Sequence, residues 1–309
     1  MTISSGEGFS ALVRRTRGLV LLAVTVLACL VFGRALLANT MPENSSSAPT
    51  LVSQIDHHRL RLTFNDDFST LNLRHGDQGI WSTSYGYGGV DNFTLTNNHE
   101  LQLYVDPQFK GSGDRPLGVN PFSIDEGVLD ITASRATPEI HPYLWGYDYL
   151  SGLLTTRRSF GQRYGYFEIR ARLPTTQGTW PAFWLLPTDS SWPPEIDVVE
   201  YLGREPNVFY ASTHAKPDGR RQDQTGRIEI PGEPGQFHRY GVLWDENEVV
   251  WYLDGVEVQR AATPADMHKP MYMLVNLAIG GWGGVPDPST PFPTHMSVDY
   301  VRAYALDPN

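Results

Sequence analysis

Three carboxylates fall within six residues in Glu195-Ile196-Asp197-Val198-Val199-Glu200, separated only by Ile and Val. Ile and Val are strong strand formers, and a strand alternates its faces with a period of two. Glu195 and Asp197 therefore share a face. Glu200, five positions from Glu195, lands on the other face unless one extra residue in Val198-Val199 forms a β-bulge and brings it back. Three acids on one face repel each other, and that cost calls for a use. Acid–base chemistry is one: neighbours hold one carboxyl protonated while another stays ionised. The plain alternative is an exposed acidic strand face.

Aromatic residues crowd this segment: Trp180, Phe183, Trp184, Trp192 and Tyr201, with Trp282 farther on. Trp180 and Trp184 are four apart and share one strand face. A Trp of this kind is either a buried sandwich residue or a flat platform for a sugar ring. Stacking is the main adhesive for a neutral, hydroxyl-rich ligand, with polar groups fixing its orientation. Carboxylates between such platforms suit glycoside hydrolysis, in which one acid protonates the leaving oxygen and another attacks the anomeric carbon or activates water.

The elements that position these groups read as many short strands. Segments 60–64, 100–104, 128–133, 165–173, 183–186, 208–214, 237–244, 249–253, 271–277 and 296–304 carry strand patterns. Asp254-Gly255 between Trp251-Tyr252-Leu253 and Val256-Glu257-Val258 predicts a two-residue hairpin. One short helix is predicted over 264–268. Gly- and Pro-rich stretches near 105–122, 216–236 and 281–293 read as long surface loops. The pattern predicts an all-β antiparallel sandwich or jelly roll without internal repeats.

The 309 residues accommodate one large β domain, and 40% apolar content supports a substantial core. A formal net charge of −10 argues against a nucleic-acid partner. No His/Cys metal-ligand spacing, phosphate-cradling loop or G-x-S-x-G nucleophile motif occurs. At the amino end, Arg14, Arg15 and Arg17 precede a run of roughly 16 apolar residues, 18–33, long for a signal-peptide core and short for a full span. Residues 1–38 therefore read as a signal peptide or an uncleaved signal anchor, with membrane attachment through 18–38 in the second case. Either way the remainder is exported: secreted or periplasmic, or anchored outside the cytoplasmic membrane. Residues 39–55 read as a linker. The single cysteine, Cys29, lies in the apolar run, so no disulfide staples the exported part.

Motif by motif, residues 60–305 resemble glycoside hydrolase family 16. Tyr164-Gly165-Tyr166-Phe167-Glu168-Ile169-Arg170-Ala171-Arg172-Leu173-Pro174 comes first. Trp180-Pro181-Ala182-Phe183-Trp184-Leu185-Leu186-Pro187 and the acidic segment continuing through Tyr201-Leu202-Gly203 follow. Trp251-Tyr252-Leu253-Asp254-Gly255, Asn276-Leu277-Ala278-Ile279-Gly280-Gly281 and Val298-Asp299-Tyr300-Val301-Arg302-Ala303-Tyr304 complete the series in family order. The resemblance makes 56–309 the catalytic domain. It implies a curved β-jelly roll with its substrate cleft on the concave face. It also implies a retaining mechanism, with Glu195 as nucleophile, Glu200 as acid/base and Asp197 tuning Glu195. The expected activity is endo-cleavage of internal β-1,3 or β-1,4 bonds in β-glucan or exopolysaccharide. A transglycosylase and a non-catalytic carbohydrate-binding jelly roll are the alternatives. The bulged motif belongs to the laminarinase-like branch, but Trp192-Pro193-Pro194 before Glu195 brings the chain closer to members that trim bacterial exopolysaccharides.

Spacing alone does not give retention. Four effective strand steps at ~3.3 Å separate the outer Cα atoms by roughly 13 Å, whereas retaining carboxyls lie about 5–5.5 Å apart. By resemblance, His214 sits near the leaving group, and Trp180, Trp184, Trp282, Arg170 and Asn92 are candidates for substrate binding. Arg170 shares a face with Glu168, so an ion pair within the sheet competes with a place in the cleft. Gly127 and Asp299 match positions at which relatives hold a structural calcium through a carbonyl and a carboxylate, ligands of the kind Ca²⁺ takes. No cofactor is expected for catalysis, and a monomer is expected.

Overall fold

The computed structural model describes residues 53–307. The predicted export segment 18–38 and most of the 39–55 linker lie outside the described residues. The chain is already docked before position 55: Ser53 O accepts from Glu257 N, and Gln54 bridges to Val256.

Sixteen strands follow one another. They are β1 Leu60–Asp66, β2 Gln102–Tyr104, β3 Phe122–Asp125, β4 Val128–Arg135, β5 Tyr149–Ser151, β6 Leu153–Thr155, β7 Gly165–Arg172 and β8 Thr179–Pro187. Then come β9 Glu195–Tyr201, β10 Val208–Ala215, β11 Gln222–Glu229, β12 Phe237–Trp244, β13 Glu248–Leu253, β14 Val256–Ala262, β15 Met271–Ile279 and β16 Thr294–Leu306. One sheet has ten strands, with the path β14-β13-β12-β7-β16-β4-β5-β2, β1 on β16 and β3 on β4. The other has six, in the order β11-β10-β9-β8-β15-β6. All pairings are antiparallel except β2 with β5. This is the jelly-roll sandwich expected.

The inward faces of the two sheets meet in one apolar core, in which Phe167, Ile169, Phe183, Leu185, Ile196, Val199, Val242 and Trp251 are buried. These residues hold odd or even positions along their strands, as period-two alternation requires. The opposite face of the six-stranded sheet forms the cleft. Leu253↔Val256 closes the β13–β14 hairpin, with Asp254 and Gly255 both at positive φ (53° and 84°), as a tight primed turn demands.

Two predictions fail. The predicted loop 216–236 is interrupted by β11, Gln222–Glu229, which pairs along β10. The predicted helix over 264–268 is a turn, since two proline-flanked apolar residues cannot sustain a nucleus.

Candidate active site

Strand β9 carries the acids, and the predicted bulge is present. Asp197 lies opposite Trp184 on β8, and Glu200 lies opposite Ala182. Val198 and Val199 together face the single residue Phe183 on β8 and the single residue Ala211 on β10. The extra residue returns Glu200 to the face of Glu195 and Asp197. A bulge leaves a carbonyl without its ladder donor, and here Trp251 Nε1, reaching through the core from β13, donates to Asp197 O at 2.8 Å.

All three acids line a cavity of about 760 Å³ on the concave sheet, with Trp180, Trp184, Trp282 and His214. Each carboxylate has its own indole or imidazole. Trp192 Nε1 donates to Glu195 Oε2 at 2.6 Å, and Trp180 Nε1 donates to Glu200 Oε1 at 3.0 Å. His214, opposite Glu195 on β10, brings Nε2 within 3.3 Å of Asp197 Oδ2, off the hydrogen-bonding direction, so that this buried oxygen has no proper donor. The other imidazole nitrogen meets Asp223 Oδ1 at 3.0 Å. Arg221 Nε donates to Asp223 Oδ2 at 2.7 Å, and its guanidinium lies 4.8 Å from the centre of the Trp192 ring. The contacts close a ring: Glu195, Trp192, Arg221, Asp223, His214, Asp197.

The electrostatics follow from this enclosure. Burial, then the charge of Asp197, pushes Glu195 up to about 8, while His214 and the Trp192 N–H pull it back. Glu200 is driven well above the usual carboxylate range by burial, then by Asp197 and Glu195. Glu195's charge thus favours the protonated form of Glu200, the condition a general acid needs. Burial disfavours a charged His214, but Asp197, Glu195 and Asp223 outweigh it and raise the imidazole to about 10. Among the described residues, Glu195, Asp197 and His214 alone form a His/carboxylate group close enough to share a cation, with donor atoms within 4.8 Å. The imidazole's hold on its proton opposes that use, because a metal needs it neutral.

The sequence profile of Glycosyl hydrolases family 16 matches residues 88–302. The chain belongs to glycosyl hydrolase family 16. It is 46% identical over 269 residues to Endo-1,3-1,4-beta-glycanase ExsH and 49% identical over 253 residues to Endo-1,3-1,4-beta-glycanase EglC, both of Rhizobium meliloti. These alignments cover 84% and 82% of this chain but only 57% and 53% of the relatives. The chain thus spans little more than half the length of either. Among solved structures it is similar to SCLam, a non-specific endo-beta-1,3(4)-glucanase, with a TM-score of 0.68 at 27% identity, covering 82% of this chain and 95% of that one. The laminarinase catalytic domain from Thermotoga maritima gives 0.65 at 30% identity, covering 81% and 99%.

Within the family 16 frame, the cleft walls are rigid. Trp184 Nε1 donates to Asn276 Oδ1 at 2.8 Å, and Asn276 Nδ2 donates to Tyr104 OH at 3.0 Å. Trp282 stands edge-on to Trp180 at 6.1 Å and lies 4.5 Å from Tyr210. Its loop reaches Trp180 only because Gly281 has no side chain: a Cβ there falls 2.8 Å from the Trp180 ring, at φ +52°.

Two substrate-binding candidates lie elsewhere. Arg170 is on the ten-stranded sheet, where Nη1 donates to Asp299 Oδ2 at 2.6 Å and the guanidinium covers Phe237. Glu168 is buried beside it, bonded by Tyr166 OH and Tyr300 OH. Asn92 is absent from the cleft wall. Its Oδ1 accepts from Gly86 N at 2.7 Å, bracing the loop that brings Tyr85 and Tyr87 to the cavity. Asp299, the carboxylate of the calcium pair, is on the far sheet as well, where it is paired with Arg170.

Sequence reasoning missed Tyr85, Tyr87, Glu100, Arg221 and Asp223. Glu100 is a buried carboxyl on the cleft wall, raised to about 7 by burial despite donors from Leu95 N, Gln102 and Thr94. The only signal for it was its place in a segment already read as strand.

Proposed function

We propose that this chain is a retaining endo-β-glucanase that cleaves internal β-1,3 or β-1,4 bonds of a β-glucan or β-glucan-containing exopolysaccharide. The observation that carries this reading is the bulge in β9, which sets Glu195, Asp197 and Glu200 together on one face of a Trp-lined cleft. Glu195 attacks the anomeric carbon as the glycosidic C–O bond breaks, and the Glu200 proton goes to the departing oxygen. Water then gives a proton to Glu200 and attacks the same carbon, releasing Glu195. Asp197 and His214 set the charge around Glu195. The indoles of Trp180, Trp184 and Trp282 stack on sugar rings. Names of relatives such as ExsH and EglC favour mixed 1,3-1,4 linkages.

Reducing-end release on laminarin, mixed-linkage β-glucan, a succinoglycan-type polymer and agarose tests the substrate class. Cleavage of agarose alone overturns it. Glu200→Ala should retain the first step on an activated aryl glycoside, and azide should rescue the second as a β-glycosyl azide. Inactivity on all substrates without rescue moves the acid/base role to another residue. Longer products at high oligosaccharide concentration would mark a transglycosylase.

The proposal extends to location: a catalytic domain outside the cytoplasmic membrane, released or held by residues 18–38. Membrane fractionation with mass measurement of the amino terminus separates the two. A mature chain beginning near residue 39 removes the anchor.

A further inference from the structure

Five large aromatic side chains among the described residues stand exposed: Tyr87, Tyr143, Trp145, Trp192 and Trp282. Three of them line the cleft; Tyr143 and Trp145 do not. These two share one turn, and Trp145 is 46% exposed. Its backbone sits at φ +51°, a conformation that costs a bulky residue on the order of 1–3 kcal/mol and persists only when the surroundings enforce it. The enforcement is visible. The indole stacks on Phe93 at 6.1 Å and 18°, and Phe109 meets it edge-on at 6.2 Å. Ser112 N donates to Tyr143 O at 2.9 Å, tying the turn to the neighbouring loop. A flat apolar face is thus held rigid and half open to solvent.

Its position ties it to the cleft. Phe93 follows Asp91 by two residues, and Asp91 lines the cavity. Val90 and Phe93, on either side of Asp91, pack with Tyr147, Leu144 and Phe109 in one apolar cluster, so the turn and this part of the cleft wall share a core. We propose that Trp145, with Tyr143, forms a distal sugar platform that receives the β-glucan chain as it leaves the cleft past Asp91. An endo-acting enzyme meets a polymer longer than its cavity, and a preorganised ring at the exit captures one more residue without paying to order itself. The inference rests on the β-glucan reading of the cleft.

The test uses the inactive Glu195→Gln protein, alone and with Trp145→Leu or Tyr143→Ser, binding mixed-linkage β-glucan polymer and a mixed-linkage tetrasaccharide by calorimetry. Leu keeps the apolar contact with Phe93 and removes only the flat ring, and thermal melts check the fold of both variants. Polymer affinity should fall about three- to tenfold, the worth of one aromatic stack, with tetrasaccharide affinity unchanged. Unchanged polymer affinity overturns the platform, and so does an equal loss for both ligands, which would mean that the turn merely shapes the cleft. Failure of the tetrasaccharide to bind the Glu195→Gln parent overturns the β-glucan reading itself.

Discussion

His214→Gln removes the cation that faces Asp197 and Glu195 directly while leaving an amide that still reaches Asp197. The imidazole and the Glu195 carboxyl have donor atoms within 4.8 Å of each other. At that separation and an effective dielectric of about 20, a unit charge pair is worth about 3 kcal/mol, or about two pH units on the titration of Glu195. The His214 side chain is 22% exposed, so solvent screening reduces the effect to about one to two pH units. The sign is fixed: a neutral residue at 214 withdraws support from ionised Glu195, so its proton is lost at higher pH. The acidic limb of kcat/KM on mixed-linkage β-glucan should therefore move upward by that amount, with most of the alkaline activity retained. Profiles of wild type and variant, with thermal melts of both, make the measurement. A limb that stays in place or moves down refutes the reasoning, as does a uniform loss at every pH.

The raised carboxyls also affect stability. Glu195 in the fold titrates near 8, above its unfolded value of 4.5, so the folded state holds the extra proton and stability falls as pH rises from 4.5 through about 8. Glu195→Gln should remove Glu195's share of this slope, leaving that of the raised Glu200, and stabilise the protein at neutral pH by on the order of 3 kcal/mol, visible as a higher melting temperature at pH 7 than wild type but not at pH 4. Trp251→Phe leaves Asp197 O without its donor at the bulge and should cost about 1–3 kcal/mol in denaturant unfolding, with a larger fractional loss of turnover than a distant core change of equal cost. Arg170→Ala should leave kcat and KM unchanged and cost at most about 1 kcal/mol, since its partly exposed pair with Asp299 is on the far sheet. A raised KM would return Arg170 to the cleft.

The sequence made legible whatever depended on local pattern. Asp254-Gly255 specifies its hairpin by backbone chemistry. The spacing Glu195, Asp197, Glu200 requires a bulge if the acids are to act together, and the bulge is where the two valines are. What depended on partners distant in sequence was hidden. Parity places Glu168 and Arg170 on one face but cannot say which sheet that face belongs to. Asn92 looks like any cleft amide until Gly86 is seen donating to it. β11 escaped because Gln222-Asp223-Gln224-Thr225 is polar on both faces, so alternation carries no apolar signal there, and Ile228 alone is buried in the core. Asp223 and Arg221 were lost with it.

That outer strand has a consequence for how the protein fails. β11 pairs only with β10 in its sheet, and most of its residues are exposed. Strands at a margin open first, at free energies well below that of global unfolding. Asp223, which holds His214 in place, sits at the start of this strand, so warming should release the imidazole and spoil the charge balance while the sandwich remains intact. Catalysis should accordingly fade several degrees before the melting transition and return on cooling, and amide exchange in 222–229 should quicken over the same interval.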